Sequence, residues 1–311
     1  MKETLTNRKI WLNGKIVPLE EANINILTPT SQFGVNVFEG LRCYWNEQKQ
    51  QLFAFRLEEH FKRLRQSVKM LRLEDRFSDE QLRNSFIEVI RANDFREDIT
   101  VRQTIFLDGT GSWSSKGPVG MFVAPIPKGR AFGSKQGISA CISTWERIND
   151  GNISPRIKVG ANYINSRMAQ MEAIENGFDT AILRNNQGKI AEGPGSCLFI
   201  VRDNELITPP LTASVLESIT RRTLMELAEK ELNIRTVERE IDRTELYISD
   251  EVFMCGTAME VVSILSIDRL SVNDGKPGRV TETLKNIYFE VARGDKEGYE
   301  QWLTPIYPEA K

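Results

Sequence analysis

The sequence predicts two lobes of α/β or α+β structure with mixed sheets, not a doubly wound parallel sheet. Strand-like and helix-like segments alternate irregularly along the 311 residues. Hairpin signals are frequent, and Asn13-Gly14 between two apolar segments is the strongest, because this dipeptide supplies the positive φ angles of a type I′ turn. No Gly-x-Gly-x-x-Gly segment opens a helix, so a dinucleotide-binding fold lacks support.

The first half of the chain is predicted to contain strands and two amphipathic helices. After the hairpin at residues 10–17, residues 35–44 have the composition of a strand. The first helix follows, with Phe61, Leu64 and Val68 at helical spacing. The second begins at a capping box, Ser78-Asp79-Glu80-Gln81. Strands at residues 99–107 and 121–126 complete this half.

Proline, glycine and charge at residues 125–130 predict a linker. We therefore expect an N-terminal α/β domain at residues 1–126, an interdomain loop at 127–136 and a C-terminal α/β domain at 137–311. Strands are predicted in the second domain at residues 138–145, 180–184, 197–201 and 205–208. Helices are predicted at residues 163–176, 218–233 and 280–293.

Composition excludes several classes of function. The net charge of −2 and the pI near 5.8 argue against nucleic acid or an anionic membrane as the main partner. No apolar run approaches the roughly 20 residues of a membrane span. The first residues lack the apolar stretch of a signal peptide, so we expect a cytoplasmic protein.

Cysteine and histidine usage narrows the chemistry further. The four cysteines form no Cys-x-x-Cys pair, so neither a zinc site nor a redox couple is indicated, and we expect no metal. The only histidine is His60, which rules out multi-histidine metal sites. No Gly-x-Ser-x-Gly segment accompanies it. We interpret His60 as a surface residue of the first helix, which leaves a lysine, a carboxylate or a cofactor as the base.

Lys158 and Glu192 suggest a cofactor site. A lysine can form a Schiff base and then act as a base, and a carboxylate can keep a pyridine nitrogen protonated. These are the groups that a pyridoxal phosphate enzyme needs most. We expect the helix and hairpin between them to bring both residues to one cleft. The hydroxyl of Tyr163 could bond the phenolic oxygen of the cofactor, or Tyr163 could be a core aromatic residue.

Donors for a phosphate group are available in three segments. Ser218-Ile219-Thr220 begins a helix, whose N-terminus offers free N–H groups and a positive dipole end. Thr257 follows a glycine that allows close approach of the backbone to a ligand. Arg56 could add a charge-assisted contact, or it could form a surface ion pair.

Together these segments resemble the class IV, or fold-type IV, aminotransferases, and most closely the branched-chain amino acid aminotransferases. The likeness covers nearly the whole chain and implies the two-domain architecture of the D-amino acid aminotransferase type. Besides the Lys158 and Glu192 segments, the matching motifs are Phe38-Glu39-Gly40-Leu41-Arg42, Leu206-Ile207-Thr208-Pro209-Pro210, Ile219-Thr220-Arg221 and Gly256-Thr257-Ala258.

The resemblance implies pyridoxal 5′-phosphate as cofactor and a role for each matching residue. Lys158 would be the Schiff-base lysine. The residues that contact the cofactor ring or its phosphate would be Tyr163, Glu192, Arg56, Ser218, Ile219, Thr220 and Thr257. Those around the substrate would be Phe38, Gly40, Arg42, Arg102, Lys128, Thr257 and Ala258. A homodimer is also implied, in which Gly111-Ser112-Trp113 lies in the loop lent to the neighbouring active site.

Several positions depart from the family pattern. Cys197 stands where an asparagine is usual, and Glu217-Ser218 replaces a Pro-Gly. Thr100 and Phe33 stand where tyrosines are frequent, and Lys128 stands where an aromatic residue is common. Thr100, Phe33 and Lys128 bear on substrate choice, because a pocket that loses aromatic walls and gains a lysine favours longer or more polar substrates.

Transamination between an amino acid and a 2-oxo acid is the leading interpretation, with branched-chain substrates as the default and 2-oxoglutarate and glutamate as the second couple. Three alternatives remain. The substrate could be a D-amino acid, an amine or a specialised metabolite. The enzyme could be a lyase of the aminodeoxychorismate lyase type, which releases pyruvate without a second substrate. The protein could also bind the cofactor without catalysis, although Lys158, Tyr163 and Glu192 would then have no reason to occur together.

Overall fold

The computed structural model describes residues 8–127, 129, 132 and 135–308. The chain divides into two compact units, which are described separately. The first unit comprises Met1–Gly129, Ile157–Ala161 and Glu290–Lys311, and the second comprises Arg130–Arg156 and Asn162–Phe289. The first unit thus includes the short segment that carries Lys158 and the C-terminal segment. The domain limits 1–126, 127–136 and 137–311 stay a prediction. Lys128, within the expected interdomain loop, lies outside the described residues.

Fifteen strands and six α-helices are described in these ranges and are numbered in chain order. Up to residue 129 they are β1 (Lys9–Leu12), β2 (Lys15–Pro18), α1 (Pro29–Phe33), β3 (Asn36–Asn46), β4 (Gln51–Phe55), α2 (Leu57–Met70), α3 (Asp79–Asn93), β5 (Ile99–Leu107) and β6 (Val119–Pro127). The remainder are β7 (Ile138–Glu146), α4 (Tyr163–Glu175), β8 (Thr180–Arg184), β9 (Cys197–Arg202), β10 (Glu205–Thr208), α5 (Ile219–Leu232), β11 (Thr236–Glu238), β12 (Glu251–Gly256), β13 (Glu260–Ile267), β14 (Leu270–Ser271), α6 (Arg279–Arg293) and β15 (Leu303–Pro305).

The first unit contains a seven-stranded sheet in the order β15-β4-β3-β5-β6-β1-β2, and its paired strands run antiparallel. The predicted hairpin is present, with positive φ at both Asn13 and Gly14. The capping box at the start of α3 is also present, because Ser78 and Gln81 each accept the other's backbone N–H through a side-chain oxygen. The apolar faces of α2 and α3 belong to one core together with β3 and β5.

The second unit contains a mixed sheet in the order β11-β10-β9-β12-β13-β7-β8, with β14 paired to β13. The pairs β10–β11, β13–β7 and β7–β8 are parallel, and the pairs β9–β10, β9–β12 and β12–β13 are antiparallel. The α/β architecture with two sheets agrees with the fold class expected from the sequence. The core of this unit is formed mainly by isoleucine, valine and leucine side chains of its strands.

Two kinds of feature are absent from the described residues. Within residues 8–127 and 135–308, no helix is both long enough and apolar enough to cross a bilayer. In the same part of the chain, no three side chains of histidine, cysteine, aspartate or glutamate are grouped as a metal site would require.

Candidate functional site

Main-chain contacts hold the Lys158 segment on β3 and α2 of the first unit. The N–H of Phe38 donates to the carbonyl oxygen of Lys158 at 2.9 Å. The N–H of Lys158 donates to Oγ of Ser67, on α2, at 3.1 Å. The next residue, Val159, forms an antiparallel bridge with Val37. Both the N–H and the carbonyl oxygen of Lys158 are therefore hydrogen-bonded, which fixes the backbone that carries the lysine.

Phe38 brings together two of the cations that the sequence singled out. Nζ of Lys158 lies 5.0 Å from the centroid of the Phe38 ring, and the guanidinium carbon of Arg102 lies 3.8 Å from it. The electron-rich face of an aromatic ring attracts cations. Gly40 is the Cα partner of Arg102 in the β3–β5 ladder. Phe38, Gly40, Arg102 and Lys158 are thus neighbours, as a shared site requires.

Arg42 and Thr100 are direct partners. Arg42 is buried, and its Nη1 donates to Oγ1 of Thr100 at 3.1 Å, while its guanidinium carbon lies 5.4 Å from the ring centroid of Tyr44. The threonine at position 100 therefore supplies an oxygen to this arginine, which gives the departure from the family pattern a local role. The part that Arg42 plays toward a substrate stays a prediction.

Arg56 is held rigidly at the start of α2. Its backbone is left-handed, with φ of 50°, and its N–H donates to the carbonyl oxygen of Trp302 at 2.6 Å. Its guanidinium carbon lies 4.2 Å from the ring centroid of Trp302, and its Nε donates to Glu59 at 2.7 Å. The interpretation of Arg56 as a surface ion pair is wrong in one respect, since the side chain is buried.

The expectation that His60 lies on the surface is wrong, because His60 is only 2% exposed. Its Nδ1 lies 2.7 Å from Oε2 of Glu39, a residue of β3 with no exposed surface. Nε and Nη2 of Arg63 donate to the two oxygens of the same carboxylate, both at 2.7 Å. Helical spacing identified the apolar face of α2. It carried no sign that β3 places a carboxylate beside the polar positions of that helix.

Glu39, His60 and Arg63 form what we call the Glu39 cluster, and their protonation follows from burial and charge. Burial alone would raise the pKa of Glu39, but the charge of Arg63 and the hydrogen bonds from Arg63 and His60 hold this pKa far below its ordinary value. Burial lowers the pKa of His60, which Glu39 opposes and the charges of Arg63 and Lys158 reinforce. At neutral pH the ionised carboxylate is therefore paired with Arg63 and accepts a hydrogen bond from Nδ1–H of a neutral imidazole.

The folding stability is expected to fall in two stages as the pH is lowered. Both groups have pKa values that are depressed on folding, so the unfolded chain binds more protons in acid. The loss begins below the ordinary histidine value of 6.5 and steepens below the ordinary glutamate value of 4.5. Each group contributes at most about 1.4 kcal/mol per pH unit. Urea unfolding at a series of pH values between about 8 and 3, where imidazole and carboxylates titrate, measures the effect.

His60→Asn is the matched variant for the first stage, because its amide can still donate to Glu39 but does not titrate. The chain has no other histidine, so no second imidazole can imitate the effect. If the variant and the wild type lose stability in parallel between pH 7 and 5, around the imidazole pKa, the assignment to His60 fails.

In the second unit, Glu192 is 3% exposed and both of its oxygens are engaged. Nε of Arg147 donates to Oε1 at 2.8 Å, and the N–H of Leu216 donates to Oε2 at 3.1 Å. Sγ of Cys197 lies 3.8 Å from Oε2. No motif in the sequence pointed to Arg147, which lies directly after β7 and is buried. Cys197, which the sequence alone did not explain, places its thiol against this carboxylate.

The N-terminus of α5 is built as an anion site requires. Oγ of Ser218 accepts the N–H of Arg221 at 3.2 Å, and the first intrahelical bond runs from the N–H of Arg222 to the carbonyl oxygen of Ser218. The N–H groups of Ile219 and Thr220 lie ahead of that bond, at the positive end of the helix dipole. The predicted helix start is therefore confirmed, and its geometry suits a phosphate group.

Thr257 and Ala258 lie in the turn between β12 and β13, in the same unit. Gly256 precedes them, and a Cβ at that position would lie 3.1 Å from the carbonyl oxygen of Gly195. The glycine thus allows the turn to approach the segment that follows Glu192.

Tyr163 is the first residue of α4 and is 37% exposed, which excludes the alternative that it is a core aromatic residue.

These groups match the chemistry of pyridoxal phosphate. A fixed carboxylate suits a protonated pyridine nitrogen, a helix N-terminus suits a phosphate, and a lysine suits an aldehyde. Lys158 belongs to the first unit and Glu192 to the second.

Comparisons with known proteins point to the same chemistry. The family model described as "Amino-transferase class IV" matches residues 36–267. The chain is 39% identical over 301 residues to a probable branched-chain-amino-acid aminotransferase of Aquifex aeolicus (strain VF5), covering 96% of each protein. It is 35% identical over 304 residues to the branched-chain-amino-acid aminotransferase of Escherichia coli (strain K12), covering 96% of this chain and 97% of that one.

Solved structures with the same fold include two that were determined with a bound small molecule. The branched-chain amino acid aminotransferase from Thermobaculum terrenum in its PLP form has a TM-score of 0.93 at 40% identity, covering 98% of this chain and all of that one (100%). The branched-chain aminotransferase from the thermophilic archaeon Thermoproteus uzoniensis with norvaline has a TM-score of 0.92 at 37% identity, covering 96% of this chain and 99% of that one.

Proposed function

The chain belongs to the class IV aminotransferases, which are pyridoxal phosphate enzymes, and we propose that it transfers the amino group of a branched-chain amino acid to a 2-oxo acid. We expect 2-oxoglutarate and glutamate to form the second couple. The observation that carries the proposal is the pairing of Lys158 and Arg102 on the ring of Phe38. An amino acid or 2-oxo acid brings a carboxylate close to the reacting carbon, and a second cation beside the lysine suits that carboxylate.

The bound cofactor supplies a protonated ring that withdraws electrons from the α-carbon of the substrate. Lys158 would hold the cofactor through its Nζ and would move the proton at that carbon. Glu192 would keep the pyridine nitrogen protonated. Arg147 and the N–H of Leu216 fix the direction in which this carboxylate points.

We assign the remaining predicted contacts by the same reasoning. The N–H groups of Ile219 and Thr220, behind the Ser218 cap, bind the phosphate, with Arg56 and Thr257 as further donors. The Tyr163 hydroxyl bonds the phenolic oxygen. On the substrate side, Phe38 and Gly40 contact the side chain, and Arg42, Arg102 and the Thr257-Ala258 turn receive carboxylate groups. Lys128 remains the candidate for selecting more polar substrates.

A homodimer in the cytoplasm is the assembly and location that we propose. Apolar side chains are exposed in each unit, as expected where a second copy packs. Trp113 is 71% exposed, in the loop that the resemblance assigns to the neighbouring active site. Ile164 and Met168, four positions apart on α4, are also exposed.

The absorbance spectrum of the cofactor tests the function. When the protein loaded with pyridoxal phosphate is mixed with L-leucine, the visible band is expected to shift to the near ultraviolet. Addition of 2-oxoglutarate is expected to restore it, and L-glutamate alone should act like L-leucine.

The other outcomes identify the alternatives. A D-amino acid or an amine that shifts the band when L-leucine does not would overturn the branched-chain assignment. Pyruvate released without any 2-oxo acid would indicate a lyase. A protein that takes up no cofactor would contradict the proposal altogether.

A further inference from the structure

We propose that Ser67 and the Glu39 cluster position Lys158, so that a buried face of α2 sets the geometry of the reactive lysine. The inference rests on the proposed function of Lys158. It concerns residues that the sequence analysis assigned to no site, including the only histidine of the chain.

The contacts start at one face of α2. His60, Arg63 and Ser67 follow one another at intervals of three and four residues, so their side chains emerge on the same side of the helix. His60 and Arg63 bind the carboxylate of Glu39, and Ser67 accepts the N–H of Lys158. One helix face thus holds both strand β3 and the lysine segment.

Strand β3 completes the connection. Phe38 directly precedes Glu39, and its N–H donates to the carbonyl oxygen of Lys158 at 2.9 Å. The two hydrogen bonds to the main chain of Lys158 therefore come from the two elements that the Glu39 cluster joins. A shift of α2 along β3 would strain one bond or the other, because the donor and the acceptor would move apart.

The composition of the cluster favours a fixed geometry. A carboxylate with no exposed surface is tolerated only when its oxygens are bonded, and here a two-point arginine contact and an imidazole satisfy it. Such a contact has a narrow range of angles, in contrast to apolar packing, which allows sliding. The alternative is that these contacts only stabilise the fold. Ser67→Ala would then affect the reaction no more than the loss of another buried serine.

Ser67→Ala in the full-length protein loaded with pyridoxal phosphate is the decisive variant. We expect the amide hydrogen of Lys158 to exchange with solvent roughly tenfold faster, the ratio that corresponds to one lost buried hydrogen bond. We expect kcat for L-leucine to fall roughly tenfold or more, because small displacements of a reacting group are costly. The KM should change by less than about twofold, because Ser67 does not face the substrate.

Ser85→Ala is the matched control. Ser85 is also a buried helical serine of the first unit, but its hydroxyl donates to the carbonyl oxygen of Leu82 within its own helix. This variant should alter neither the Lys158 exchange rate nor kcat. Ser67→Thr, which keeps the accepting oxygen, should restore both values toward the wild type, with Ser85→Thr as the control for the added methyl group.

Two results would overturn the inference. Ser67→Ala and Ser85→Ala could have equal effects on the exchange rate of Lys158 and on kcat. Ser67 would then have no positioning role beyond that of any buried polar residue. The exchange at Lys158 could also rise while kcat stays the same, so that the bond would exist without positioning the lysine. Failure of the wild type to transaminate L-leucine would instead contradict the proposed function, and the exchange measurement would still report on the contact itself.

Discussion

Replacing Lys158 by alanine is expected to abolish transamination. The variant loses both the covalent attachment of the cofactor and the base that moves the proton, and a positioned base alone contributes about 10²- to 10⁴-fold in rate. The fold should survive, because the contacts that hold this segment are made by main-chain atoms of residues 158 and 159. Steady-state turnover of L-leucine with 2-oxoglutarate measures the loss.

Lys69→Ala, at an exposed position on α2, is the control for removing a lysine and should leave turnover unchanged. Substantial turnover by the Lys158 variant, with its melting temperature unchanged, would remove the central assignment of the site. A melting temperature that is lower for the Lys158 variant than for the Lys69 variant would show that turnover was lost through unfolding.

Replacing Glu192 by glutamine is expected to leave cofactor binding largely intact and to slow transamination by roughly a hundredfold or more, the cost typical of losing one preorganised charge-stabilising group. A neutral amide cannot hold the proton on the pyridine nitrogen. It also leaves the buried Arg147 without its carboxylate, so a lower melting temperature is expected as well. Single-turnover absorbance changes with L-leucine separate the rate of the chemical step from cofactor binding.

Glu251→Gln controls for the loss of a buried carboxylate in the same unit. Glu251 accepts the N–H groups of Val280 and Thr281 at the start of α6, so its replacement should lower stability while kcat stays close to the wild-type value. If Glu192→Gln transaminates at the wild-type rate, the role of this carboxylate toward the ring nitrogen is wrong.

Local signals in the sequence predicted many of the elements to within a residue or two. β5, β8 and β10 have the bounds expected from composition and turn residues, and α3 begins at its capping box. These features depend on residues close together in the chain. β4 and β12 were not predicted as strands, because they are short runs buried on both faces and show no alternation of apolar and polar residues.

Partners distant in sequence were not predictable from the same signals. Glu39 and His60 are 21 positions apart, and Arg147 and Glu192 are 45 apart. Helical spacing placed His60 on α2 correctly and still gave the wrong environment, since the environment is decided by β3. The resemblance predicted that Lys158, Phe38 and Arg102 belong to one site, and the first unit does hold these three side chains together. Their roles stay a prediction.

The pleat of β3 separates residues that can be varied from residues that cannot. Phe38 and Gly40 point to the face shared with Lys158, whereas Glu39 and Leu41 point to the opposite face, where α2 packs. A directed-evolution library restricted to the odd-numbered positions would therefore mostly yield unfolded clones. A library at position 40, where an added Cβ would meet no atom within 4 Å, would sample new substrates on an unchanged scaffold, although its codon lies between those of Glu39 and Leu41.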